Sequence, residues 1–242
     1  MNLFLLIGHP LGHSFSKAYF TEKFEKDGID ACYENYDLES IERLPQLIGQ
    51  FPDLCGFNVT IPYKESIIPY LDELDSVAAE VGAVNTVKVL PDGRLKGYNT
   101  DVIGLEATLN IIKHVTTSAL VLGTGGASKA VQYALRRNSI PFHVVSRNPQ
   151  KGDLTYHDIT PEIIKEHLII INATPVGMAP NINNAPDLPY EALTSQHTLF
   201  DLIYNPAETL FLKHGREHGA TTINGITMLH SQAEASWEIW NR

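Results

Sequence analysis

The chain has 242 residues, 43% of them apolar and 19% charged, enough to bury one large core or two small ones and too apolar for disorder. Lys plus Arg is 18 against 28 Asp plus Glu, and the formal charge of −10 excludes gripping nucleic acid through a bulk field, so an anionic ligand must meet a local cluster of donors. No run approaches the ~20 apolar residues of a membrane span, and "MNLFLLIGHP" lacks the basic leader of a signal peptide, so the chain reads as soluble and cytoplasmic.

"LFLLIG" predicts a first strand, and "SFSKAYFTEKFEKDG" a helix stopped at Gly28. "ACYENYDL" reads as a strand, "SIERLPQLIGQ" as a short broken helix and "CGFNVTI" as another strand. Within "GFNVTIPYKE", Val59 and Ile61 would face one side and Asn58, Thr60 and Pro62 the other. That pattern suits an edge strand with a polar outer face, or a strand tip presenting Thr60 and Lys64 to a ligand. "AVNTVKVLPDGRLKGYNT" predicts a hairpin turning at Pro91, Asp92 and Gly93, and "DVIGLEATLNIIK" an amphipathic helix with Asp101 in its first turn. Cys32 and Cys55 show no metal or redox spacing and are expected as small buried thiols in a reducing compartment.

After His114 the texture changes. "SALVLGTGGASKAVQYALRR" is strand, glycine turn and helix, and "FHVVSR", "LIIINAT" and "TLFDLIY" follow as strands. Apolar runs separated by helices indicate a parallel sheet covered on both faces. The final segment, "MLHSQAEASWEIW", is a helix. The fold class is therefore α/β in two halves, with boundaries near Asp101 and Gly225, and the last helix is too short to stand alone.

In "LVLGTGGAS", Gly123 and Gly125 are followed by Ser128 where the dinucleotide fingerprint has Gly or Ala, in the strand–turn–helix context that fingerprint requires. Such a turn lets backbone N–H groups approach a pyrophosphate at a helix N-terminus. An NAD site has a carboxylate about 20 residues on, after the next strand. Here "VVSRNPQK" offers Arg147 and Lys151 instead, and a guanidinium suits the 2′-phosphate of NADP. "NATPVGM" would border the nicotinamide half.

At the other end, "GHPLGHSFSK" puts Ser14 and Ser16 at a helix start, able to hold a carboxylate or simply to cap the helix; His13 and Lys17 read as surface groups. Asn85 in "GAVNTV" and Asp101 in "GYNTD" can bond sugar-like hydroxyls, although Asp101 also suits helix capping. Gln232 lies on or beside the apolar stripe of the last helix and needs a buried backbone group or a ligand as partner.

"GHPLGHSFS", "GFNVTIPYKE", "GAVNTV", "GYNTD", "GTGGAS", "NATPVGM" and "NGITMLHSQA" occur in the order and spacing of the shikimate dehydrogenases, which the chain resembles over nearly its whole length. The resemblance implies reversible reduction of 3-dehydroshikimate to shikimate with NADPH. It implies a substrate domain over 1–101 joined by the helix 226–242, a Rossmann-like NADP domain over 102–225, and a site in the cleft between them. Lys64 and Asp101 would be the catalytic pair. Ser14 and Ser16, with Tyr204 nearby, would hold the substrate carboxylate, while Thr60, Asn85, Asp101 and Gln232 meet the ring and its hydroxyls. Gly123, Gly125, Gly126, Ala127, Ser146, Arg147, Thr174 and Gly225 would bind the cofactor, with no metal. The implied partner is a small molecule, not nucleic acid or membrane, with the protein a monomer or homodimer. Departures from the family pattern are Lys17 for Pro, Tyr19 and Phe20 for His-Asn, Ser146 for Asn and Thr227 for Gly. Two alternatives stand beside this reading: a quinate/shikimate dehydrogenase using NAD, and an idle relative that binds ligand to regulate.

Overall fold

A computed structural model describes residues 1–12, 14–112 and 118–242, so the expectation for His13 lies outside the described residues. The chain divides into two compact units, Met1–Thr100 with Ala233–Arg242, and Asp101–Gln232.

The first unit contains β1 (Asn2–Gly8), α1 (Phe15–Asp27), β2 (Ala31–Asp37), α2 (Leu44–Gln50), β3 (Leu54–Val59), β4 (Glu73–Leu74), α3 (Ser76–Val81), β5 (Thr86–Val89) and β6 (Leu95–Tyr98). Its strands pair in the order β2-β1-β3-β5-β6-β4. The sheet is mixed, because β1 runs parallel to β2 and β3 while the hairpin strand β5 runs antiparallel to β3 and β6. The run "LFLLI" is apolar throughout because both faces of β1 are covered: Leu5 and Ile7 pack with Phe57, Val59 and Val87, and Phe4 and Leu6 pack into an aromatic cluster with Phe20, Phe24 and Tyr33.

Two expectations for this unit, and one of the two readings of "GFNVTIPYKE", need correction. β3 lies inside the sheet, so it is no edge strand, and Asn58 on its "polar" side is buried. The strand stops at Val59 rather than continuing to Ile61. Ile61 is 59% exposed where Val59 is 2% exposed, because the chain turns at Thr60, whose carbonyl accepts the Tyr63 N–H, ahead of Pro62, which has no N–H to donate. The two cysteines are free and half-buried rather than fully enclosed.

The second unit contains α4 (Asp101–Leu109), β7 (Ala119–Leu122), α5 (Gly126–Arg137), β8 (Phe142–Val145), α6 (Pro161–Glu166), β9 (Ile169–Asn172), β10 (Thr198–Asp201), α7 (Leu210–Glu217), β11 (Thr221–Ile223) and the first half of α8 (Ile226–Trp240). Its sheet, in the order β11-β10-β9-β7-β8, is parallel at every pairing. Leu120, Leu122, Ile170, Leu199 and Phe211 lie in one core cluster, as the uniformly apolar strand runs demand. The predicted amphipathic helix α4 ends at Leu109, short of the expected Lys113, which lies outside the described residues.

The second half of α8 belongs to the first unit. Trp240 stacks on Phe4 with ring centroids 4.6 Å apart and donates its indole N–H to the Val87 carbonyl at 2.9 Å. Gly56 makes room for it: a methyl there would overlap the indole and sit 2.8 Å from that same carbonyl. Among the described residues no helix is long and apolar enough to cross a membrane, and no group of three or more His, Cys, Asp or Glu could hold a metal ion.

Candidate active site

At the start of α1, Ser14 is the N-cap, its hydroxyl accepting the Lys17 N–H at 3.2 Å and donating to Asn35 Oδ1 at 2.8 Å. Ser16, in the first turn of α1, hydrogen-bonds the Tyr33 phenol, which burial holds well above its usual pKa. Both serines are half-buried.

The turn after β3 positions Thr60 and Lys64. The Thr60 N–H donates to the Ile7 carbonyl at 2.9 Å, and the Lys64 carbonyl accepts the Val84 N–H at 2.7 Å, so the backbone on both sides of Pro62 is fixed. The side chains of Thr60 and Lys64 are half-buried.

Asn58 anchors a buried neutral network. Its amide donates to the Asn85 carbonyl at 3.2 Å and to the hydroxyls of Thr86 and Ser236 at 3.1 Å each, while its oxygen accepts from Tyr33 at 2.8 Å. The Ser236 hydroxyl lies 2.8 Å from that of Thr86 and 3.1 Å from that of Thr100. Asn85 Oδ1 takes the Thr100 N–H at 2.7 Å, and Asn85 Nδ2 donates to the Thr100 hydroxyl at 3.0 Å. Thr100 is thereby fixed by both its backbone and its side chain. The next residue, Asp101, opens α4 and is buried. Gln232, half-buried on α8, donates to the Leu229 carbonyl at 3.0 Å.

In the second unit the glycine turn joins β7 to α5. Gly123 holds φ +106°, a conformation that favours glycine, and a methyl on it would meet the Thr174 methyl at 2.9 Å. Ser128 takes the third fingerprint position as a buried residue whose hydroxyl closes the turn by donating to the Gly123 carbonyl at 2.6 Å. Gly125 is the N-cap of α5 without any side-chain cap, and a methyl on it would meet nothing within 4 Å. This open helix N-terminus, followed by Gly126 and Ala127, fits a pyrophosphate. Past the end of β8, Ser146 is buried and accepts the Asn148 N–H at 3.1 Å, while Arg147 is exposed and lies where its charge acts on Tyr156. Thr174 donates its N–H and hydroxyl to Asn172 Oδ1 at 3.1 and 2.6 Å. Tyr204 lies in the loop after β10, half-buried. Gly225 packs against the Leu202 carbonyl so closely that any side chain would collide.

Comparison with known proteins matches a family model described as the shikimate dehydrogenase substrate binding domain to residues 6–87. The shikimate dehydrogenase (NADP(+)) of Methanococcus maripaludis strain C7 is 39% identical over 97% of this chain and 89% of its own. This chain belongs to the shikimate dehydrogenase family. Among solved structures of shikimate dehydrogenases, the Thermus thermophilus enzyme in complex with NADP(H) and shikimate superposes with a TM-score of 0.88 at 33% identity, covering 99% of this chain and 93% of that one. A quinate dehydrogenase from Corynebacterium glutamicum in complex with NAD superposes with a TM-score of 0.87, but at 27% identity, over 99% of this chain and 93% of that one.

Sequence reasoning missed the supports behind the family motifs. Asn58 was read only as part of one face of a strand, and Thr86 and Ser236 lay within the hairpin and the last helix without a role. Asp201, a fully buried carboxylate ending β10, was passed over. Its signal was a lone acid in the apolar run "TLFDLIY".

Proposed function

We propose that this protein is an NADP-dependent shikimate dehydrogenase, reducing 3-dehydroshikimate reversibly to shikimate. Full-length likeness to relatives named shikimate dehydrogenase (NADP(+)) carries this reading. Residues 1–101 with 226–242 serve the substrate, and 102–225 the cofactor. The open N-terminus of α5 supports the cofactor role of Gly123, Gly125, Gly126 and Ala127, and exposed Arg147 past β8 supports NADP over NAD. Thr174, Ser146 and Gly225 shape the walls of that site. The protein acts in the cytoplasm on a small molecule, as a monomer or homodimer, without nucleic acid, membrane or metal.

NADPH, when bound, supplies the hydride that reduces the ketone carbon. Negative charge then builds on the ketone oxygen. The Lys64 ammonium stabilises that charge, and Lys64 and Asp101 together deliver the proton that completes the alcohol. Ser14 turns its hydroxyl from Asn35 toward the substrate carboxylate and acts with Ser16 and Tyr204; two hydroxyls and the first N–H groups of α1 make an anion site without a cation. Thr60, Asn85 and Gln232 meet the ring hydroxyls.

The test is absorbance at 340 nm with shikimate and NADP, then with NAD and with quinate. Robust shikimate oxidation with NADP, and a far lower KM for NADP than for NAD, is the expected result. Preference for NAD and quinate would replace the reading with a quinate dehydrogenase. No turnover, with shikimate still bound, would replace it with a regulatory relative.

A further inference from the structure

Asp201 ends β10 beside Asn172, the last residue of β9, and the two are register partners in the parallel sheet. Both are fully buried. Asp201 Oδ1 accepts from the Asn172 amide at 3.1 Å and from the Ile203 N–H at 3.0 Å, and Oδ2 accepts from the Thr209 hydroxyl at 2.6 Å. These donors are neutral. Asn172 also donates to the Val176 carbonyl at 3.2 Å, and its oxygen takes both donors of Thr174. The Thr174 hydroxyl in turn accepts the Val176 N–H at 3.2 Å, and its methyl abuts Gly123. One side chain thus stands at the root of two loops, that from Ala173 to Met178 and that carrying Tyr204, and is linked through Asn172 and Thr174 to the glycine turn.

We propose that Asp201 is a positioning residue: through Asn172 it holds the Thr174 loop against the glycine turn, and through Ile203 and Thr209 it holds the Tyr204 loop, so that the cofactor site is pre-organised. This rests on the NADP reading above. The role needs acceptors in the right places and not the negative charge itself. In Asp201→Asn the retained oxygen still receives Asn172 and Ile203, and the new amide donates to Thr209, whose hydroxyl can accept. In Asp201→Ala all three donors lose their acceptor.

The experiment compares wild type, Asp201→Ala, Asp201→Asn and Asn172→Ser by calorimetric binding of NADP⁺, steady-state kinetics, and amide hydrogen exchange without cofactor. Asn172→Ser is included because it shortens the link while sparing the carboxylate, in case Asp201→Ala does not fold. For Asp201→Ala, the Kd and KM for NADP rise about tenfold or more and kcat falls. Exchange over 173–178 and 202–206 accelerates by about tenfold. Asn172→Ser moves in the same direction over 173–178. Asp201→Asn stays near wild type by all three measures, a rescue that a role for the charge would not permit. Folded Asp201→Ala or Asn172→Ser with NADP affinity and loop exchange at wild-type values would overturn the proposal, as would Asp201→Asn failing as badly as Asp201→Ala. If the wild type binds NADP yet does not oxidise shikimate, the functional reading fails, while the binding and exchange data still decide the role of Asp201.

Discussion

In the first compact unit a buried network of Asn58, Asn85, Thr86, Thr100 and Ser236, all neutral, lies behind the sequence motifs, while in the second Asn172 and Thr209 gather round the carboxylate of Asp201. Both arrangements do the same mechanical work, tying strand ends to the segments that follow. They differ in their response to pH. The neutral network has nothing to titrate near neutral pH, because burial holds the phenol of Tyr33, which donates to Asn58, well above its usual range. Burial pushes Asp201 up to about 6, against the pull of Thr209, Ile203 and Asn172, which favour the charged form. A polar scaffold can thus be built with or without a charge, and the one around Asp201 contributes a stability that falls as pH rises through about 6.

The comparison extends to function and can be broken by experiment. Lys64→Ala, in the first unit, should lower kcat by ~10²–10⁴-fold with little change in KM, measured by initial rates; near-normal turnover would remove Lys64 from the chemistry. Packing in the first unit should be unforgiving where Trp240 crosses Gly56. Gly56→Ala is expected to cost about 3 kcal/mol in urea unfolding, since the added methyl meets an indole and a backbone carbonyl that cannot withdraw.

The contrast in titration is sharpened by Asp201→Asn, an imitation of the neutral acid. A carboxyl raised from 3.8 to about 6 in the folded state binds more protons folded than unfolded between those values. Its contribution to stability is complete below about pH 4 and is lost as pH rises through about 6. The variant lacks that loss, so its stability relative to wild type should grow by up to roughly 3 kcal/mol between pH 4 and pH 7. A constant difference across that range would mean Asp201 does not titrate there.

Arg147→Ala should raise the KM for NADP by about 10–100-fold and leave that for NAD unchanged, because it removes a charge-assisted contact to the 2′-phosphate alone. Equal effects on both cofactors would move Arg147 out of that role. Smallest of all, Ser236→Ala should cost about 1–2 kcal/mol by the same unfolding measurement, with no dependence on pH from 4 to 7, since it strips one neutral hydroxyl from a network that keeps other pairings.

Much of the fold was legible along the chain because its signals are local. The Gly28 stop is a left-handed residue ending α1, the hairpin turns after Val89 as its Pro-Asp-Gly run predicts, and the uninterrupted apolar runs are the strands of the parallel sheet. The short elements β4, α3, α6, α7 and β11 went unread, since six to eight helical residues, or two or three in a strand, carry too little periodicity to stand out. For the candidate site, the motifs named which residues to watch but not what supports them. Asn58 looked like the outer face of an edge strand because alternation alone cannot tell a solvent face from a buried polar one.

Residue order alone determined the α/β class, the strand–glycine–helix turn with Arg147 after the next strand, and the family motifs, because each depends on neighbours within a turn or a strand. Only tertiary structure decided which polar groups share hydrogen bonds. Asn58 and Ser236 are 178 positions apart, and Asn172 and Asp201 are 29 apart. A buried amide or carboxylate must find partners wherever the sheets and helices bring them, and no local pattern encodes that meeting.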